Sequence, residues 1–317
     1  MKASAVAVLA HNLGIEAELR RASTVLSEAG VAHVVLKGVP QLRRLGLPLD
    51  ARAVVDNDLL VRRGCLDRAL AALEGAGWAR FTEGPSPRQV RESFELLLVG
   101  LSAVGGPSFI DLHWALFPPL LYPANEESLW SHVSFEDSED RLLGAPDAPL
   151  TIVHSAAHYA QHGFGEQRIL PVLARAWNLW GSEETVDLAR EFGLHHALDY
   201  GLRVCGAKGL LERPMPSIHS RRAGRLHRFA PLGRPEYLVG QVDYVGAGTS
   251  ALLAGPRRAL VSAFALSFPP LNVLAAVYGR PPRAMLYGTY LTRPFRPLRR
   301  AIRRHGRPWK LRHRSCP

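Results

Sequence analysis

Two carboxylates stand two residues apart inside an apolar run, Val54-Val55-Asp56-Asn57-Asp58-Leu59-Leu60-Val61. A short run rich in valine and leucine reads as a buried strand. On a strand, side chains at i and i+2 leave the same face, so both acids converge on one spot. Two like charges that close among aliphatic neighbours are costly unless something positive neutralises them. A divalent cation answers that need, and hard oxygen ligands suit Mg2+ or Mn2+. The plainer alternative has Asp56 and Asp58 capping a turn or pairing with Arg52 and Arg62. A third acid, Asp111, is alone in Phe109-Ile110-Asp111-Leu112-His113-Trp114. Three carboxylates from two neighbouring strands suffice to hold a pair of metal ions.

The flanking pattern defines the fold class. Ile15, Leu19, Val25, Leu26 and Ala29 recur near helical period, and Gly30 follows where a helix C-cap often sits. Residues 31–36 predict a buried strand that runs into a tight Lys37-Gly38 turn, and residues 41–45 a short helix. Leu66, Ala69, Leu70 and Leu73 line one face of a helix that stops near Gly75 and Gly77. A polar, proline-containing loop over 83–88 leads to two more strands, 94–101 and 108–116, which Gly105-Gly106-Pro107 joins as an antiparallel hairpin. The expectation is an α+β fold with a small mixed β-sheet flanked by helices over residues 1–120. An acidic, proline-bearing connector (121–149), a mostly helical C-terminal domain (150–291) and a basic tail (292–317) follow. No internal repeat is evident.

Composition excludes several classes. With 47% hydrophobic and 21% charged residues among 317, the chain reads as globular. Cys65, Cys205 and Cys316 are odd in number and far apart, which argues against a disulfide framework or a cysteine zinc site. With no secretion signal read at the amino terminus, a cytoplasmic protein is expected. The formal net charge of +11 is local, because fourteen Lys and Arg but no Asp or Glu follow Asp243; the 25 basic and 28 acidic residues before that point sum to −3. Ten Lys and Arg crowd residues 293–314, a segment suited to weak nucleic-acid contact or to peripheral contact with an anionic membrane. A solvated basic end is the bland alternative. Residues 259–279 carry no charge, but Ser262, Ser267, Pro269, Pro270 and Asn272 interrupt them, so a broken helix is expected in place of a membrane span.

Histidines supply the remaining candidates. His154, His158 and His162 recur every four residues along one helix face, without the glutamate of a zinc-protease motif. They are expected to face the cleft or the sheet, with His158 and His162 near the acceptor or behind the ligands. His113 shares its strand face with Asp111 and has the same candidate role, whereas Trp114 reads as a core residue.

Several motifs in order now carry a resemblance: Val35-Leu36-Lys37-Gly38, Arg52 four residues before Asp56, the Asp56-Asn57-Asp58-Leu59-Leu60-Val61 strand, the helix ending at Gly77-Trp78, and Asp111-Leu112-His113-Trp114. Together they resemble nucleotidyltransferases of the DNA polymerase β superfold, specifically a bacterial group with an LKG turn and a D-x-D-L-L-V strand. The likeness covers the first third of the chain well. His158, His162 and Tyr290-Leu291-Thr292-Arg293-Pro294 are more weakly similar to that group's helical second half.

The resemblance implies metal-dependent transfer of a nucleoside monophosphate from an NTP, ATP foremost, to a hydroxyl of a small molecule or peptide natural product, releasing pyrophosphate. Asp56 and Asp58 would bind both metals, and Asp111 the catalytic metal while helping to activate the acceptor hydroxyl. Gly38 would let the backbone approach the phosphates, Lys37 would supply a cation to them, and Arg52 would do the same or brace the acidic strand. One departure is that Lys37-Gly38-Val39 lacks the serine that many members of the superfold carry at this turn. The alternatives are a non-catalytic nucleotide-binding accessory protein and transfer of the nucleotide to tRNA or protein.

Overall fold

A computed structural model describes residues 4–81, 94–102, 106–117, 124–135, 143–162 and 167–216, with isolated positions 119, 122, 218, 255, 257 and 260. The 83–88 loop, the Tyr290 to Pro294 motif and the basic tail lie outside the described residues, as does nearly all of the uncharged stretch 259–279.

Ser4 caps the first helix, α1 (Ala5–Glu28), by accepting from Ala7 N, and Gly30 ends it at a φ of +66°. Then follow β1 (His33–Val35), α2 (Val39–Arg44), β2 (Asn57–Val61), α3 (Leu66–Gly75), β3 (Ala79–Arg80), β4 (Glu95–Leu101) and β5 (Pro107–His113). Next come α4 (Glu126–Ser131), β6 (Val133–Phe135) and β7 (Leu143–Pro146). A helical region completes the order with α5 (Ala148–Gln161), α6 (Leu170–Trp180), α7 (Glu183–Glu191) and α8 (His195–Ala207). The seven strands form one mixed sheet in the order β3-β4-β5-β2-β1-β7-β6. The β2/β5 and β1/β7 pairs are parallel and the others antiparallel. This is the α+β arrangement anticipated from the apolar patterning.

Two local expectations are corrected. Residues 121–149, expected as a connector, supply α4 and the strands β6 and β7, which extend the sheet beyond β1. Strands of three and four residues are too short to show alternation in sequence. The second correction concerns β2, which starts at Asn57 and not at Val54. The fully buried Asn12 amide donates to the carbonyls of Leu49 and Arg52 and accepts from Val54 N, while His11 Nε2 donates to Val54 O at 2.7 Å. Val54 gives its N–H and its carbonyl to side chains of α1 and not to a neighbouring strand. Asp56 therefore stands on a braced loop just ahead of the strand. Asn12→Ala strands buried backbone donors and acceptors, and should cost about 2–3 kcal/mol in urea denaturation. A loss below half a kcal/mol would show that the loop holds itself.

Side-chain alternation then sorts the sheet. Leu59, Val61, Ile110, Leu112 and Trp114 pack with α1 and α3 in one cluster. Val34, Leu36 and Leu60 join α5 to α8 in another. Because successive strand residues point to opposite faces, Asp58, Asp111 and His113 are directed toward the helical region.

Candidate active site

Register brings the acids together. β2 and β5 run parallel with Asp58 opposite Asp111, and Asp56 precedes Asp58 by two residues. One carboxylate oxygen from each of the three lies within 4.8 Å of the other two. Lys37, at the end of the segment leaving β1, places Nζ 3.0 Å from Asp58 Oδ1 and 3.7 Å from Asp56 Oδ1. Gly38 follows at a φ of +90°, a conformation that favours a residue without Cβ.

His113 and Glu95 complete the cluster. His113 Nε2 is 3.2 Å from Asp58 Oδ1, and its Nδ1 is 3.5 Å from Glu95 Oε2. Glu95 went unrecognised in the sequence. Its meaning depends on its pairing with His113 across the β4/β5 hairpin, which no local pattern reveals.

The electrostatics follow from this crowding. Burial works to raise the pKa of Asp58, but the Lys37 ammonium and the His113 hydrogen bond outweigh it and bring the value down to about 2. Among the described residues Asp111 has no ion pair or hydrogen bond of that kind; burial and repulsion from Glu95 and Asp58 push it up to about 7. Burial disfavours the charged forms of Lys37 and His113, yet the surrounding carboxylates raise both. Four acidic side chains thus crowd around one lysine ammonium and one histidine, an excess of acidic groups that a dication would relieve.

A further sign is Asp58 Oδ2, which is buried and has no hydrogen-bond partner among the described residues. Such an atom is costly unless something occupies its lone pairs. The all-oxygen donor set fits Mg2+ or Mn2+.

Beside the acids, Lys37, Gln41, Arg52, His154, Ser155 and His158 line a small pocket. Burial lowers His154 to about 3 and takes His158 well below its ordinary value, so both rings are neutral at physiological pH. The ladder His154, His158 and His162 is real, with ring centroids 6.1 and 4.5 Å apart. His162 caps the C-terminus of α5 and is not part of this pocket lining. His154, which faces the pocket, was the less expected member. A larger cavity of about 540 Å3 lies between α1, α2 and β7 and contains none of the acids.

A family model described as "Uncharacterised nucleotidyltransferase" matches residues 1–207. The chain belongs to that family. No curated protein and no solved structure matches it. The nucleotidyltransferase match ends with α8 and takes in all the acids, Lys37 and the histidine pocket. Among the described residues, no helix is long and apolar enough to cross a membrane.

Metal binding should depend on pH in a defined direction. Asp111 has its folded pKa raised to about 7, so below that value its carboxyl must lose a proton before it can ligate. Apparent Mn2+ affinity of the nucleotide-free protein should therefore fall by about tenfold per pH unit below 7, and level off above it. Affinity that stays flat from pH 8 to 5.5 would exclude Asp111 as a ligand.

Proposed function

We propose that this nucleotidyltransferase moves a nucleoside monophosphate from an NTP, ATP foremost, to a hydroxyl of a small molecule or peptide natural product, with release of pyrophosphate. The observation that carries the reading is the pairing of Asp58 with Asp111 on parallel strands, with Asp56 beside them, in one charge-rich cluster. Asp56 and Asp58 would hold two Mg2+ or Mn2+ ions and Asp111 the catalytic one. When bound, these dications screen the triphosphate and lower the pKa of the attacking hydroxyl.

Each residue has a place in this scheme. Lys37 lies between the acids and the pocket, where its ammonium can meet the triphosphate. Arg52 lines the same pocket, and Gly38, without a Cβ, would let the backbone approach the phosphates. Asp111 would help activate the acceptor hydroxyl and take up its proton as the oxygen bonds to the α-phosphorus and the bond to pyrophosphate breaks. His154 and His158 are neutral, and each ring offers one donor and one acceptor to the nucleotide or acceptor without adding charge. Support for a small-molecule or peptide acceptor comes from the resemblance to the bacterial LKG group. The ten Lys and Arg over 293–314 favour a second reading, in which the hydroxyl belongs to tRNA or protein.

One assay tests both. The protein is incubated with each of the four NTPs, labelled at the α-phosphate, plus Mg2+ and a cell extract. Label should move into a small acceptor in step with pyrophosphate, and Asp56→Ala and Asp58→Ala should abolish the transfer. Label in macromolecules would favour the second reading. If a folded Asp58→Ala protein turned over like wild type, the mechanism would be wrong.

A further inference from the structure

The His113 ring is held between two carboxylates. Nε2 approaches Asp58 Oδ1 at 3.2 Å and Nδ1 approaches Glu95 Oε2 at 3.5 Å. Nε2 hydrogen-bonds Asp58 Oδ1, whereas Nδ1 makes no hydrogen bond among the described residues, so Glu95 acts on the ring through proximity and charge. The ring is 4% exposed and Phe94 lies against it, with centroids 5.7 Å apart, so it has little room to turn. Glu95 stands opposite His113 in the β4/β5 register, which fixes their separation through the backbone.

Asp58 meets this arrangement with one oxygen only. Oδ1 accepts from both His113 and Lys37, while Oδ2 has no hydrogen-bond partner among the described residues. Glu95 itself lies outside the group of acids whose ligand atoms converge, and its side chain is 39% exposed at the rim.

We propose that Glu95 and His113 act as a positioning pair for Asp58: the glutamate orients the ring, and the ring pins Oδ1 so that Oδ2 is presented to the metal ions. Neither residue is a ligand. The inference rests on the metal-binding reading above and assigns a role to Glu95, which the nucleotidyl-transfer scheme leaves unused. Hydrogen-bonding partners behind ligating carboxylates commonly govern metal affinity by about 10–100-fold. Glu95 would do so at one remove.

Mn2+ binding to the full chain without nucleotide, read from the electron paramagnetic resonance signal of free Mn2+, tests this independently of turnover. Wild type, Asp58→Ala, Glu95→Gln, His113→Gln and the Glu95→Gln/His113→Gln double variant are compared, with thermal melts to confirm folding. His113→Gln should weaken Mn2+ binding by about 10–100-fold and Glu95→Gln by about tenfold. The double variant should be no weaker than His113→Gln alone, because Glu95 acts through the ring. If the two losses multiply in the double variant, Glu95 reaches the metal by its own route and the positioning role is overturned. If Glu95→Gln binds like wild type while Asp58→Ala loses Mn2+, the pair is wrong and the metal site stands. If wild type itself binds no Mn2+, both fall.

Discussion

Replacing Asp111 with asparagine should raise the thermal stability of the metal-free protein and, in the same molecule, remove its nucleotidyl transfer. Burial and its acidic neighbours lift the Asp111 carboxyl to about 7 from an ordinary value of 3.8. Between those values the folded state binds more protons than the unfolded state, so stability drains away as pH rises through that window. Asparagine keeps the shape and omits the charge. At pH 8 the variant should be more stable by about 1–3 kcal/mol, an order-of-magnitude reading of a shift worth about 1.4 kcal/mol per unit. The gain should shrink toward zero as pH falls to 4. Activity moves the other way, since losing a metal-bearing carboxylate forfeits several kcal/mol of charge stabilisation, or about 10^3-fold or more in kcat. Melting curves at pH 8 and pH 4, with and without Mg2+, check the first half. A variant less stable than wild type at pH 8 without metal would mean that the acids do not repel one another as described.

Lys37→Met produces the second large effect. Only 16% of the Lys37 side chain is exposed, and its ammonium touches Asp58, whose side chain is 2% exposed. Removing one member of a buried ion pair leaves the other uncompensated, at a cost of about 3–5 kcal/mol. The affected carboxylates gather more excess negative charge, so millimolar Mg2+ should recover more stability in the variant than in wild type. Catalysis should still suffer. Without the ammonium beside the triphosphate, kcat/KM for the NTP should fall by about 10^2–10^3-fold, the scale on which single charge-stabilising groups act. Tighter metal binding with poorer turnover separates this residue from the acids, whose loss harms both. If Mg2+ rescued the variant no better than wild type, Lys37 would not be standing in for a dication.

The parts of the site that were legible in sequence share one property. Asp58, with Asp56 two residues before it, and Asp111 are charges set in aliphatic runs, and the cost of burying a charge is a local property of those few residues. Lys37-Gly38 was legible for a similar reason, as a turn at the end of a valine-rich strand. The ladder of histidines on α5 followed from helical spacing, although the spacing did not say which of the three would face the pocket. Glu95 begins an ordinary strand, and Asn12 sits in an ordinary helix. Both matter through partners at long separation in sequence, Glu95 through His113 and Asn12 through the backbone of residues 49–54. The same limit hid β6 and β7, short segments that become strands because β1 offers a free edge.

By itself, then, the sequence pointed to an α+β fold in which three acids need a positive partner, with a lysine nearby to supply part of it, because periodicity and the penalty for burying charge act over a few neighbouring residues. Only the tertiary structure decided which oxygen of Asp58 is tied and which has no hydrogen bond among the described residues, that Asp111 carries a raised pKa while that of Asp58 is lowered, and that Asp56 leaves its strand. Those outcomes depend on register between strands and on side chains reaching across the sheet, and register is a property of the assembled sheet that no single segment contains.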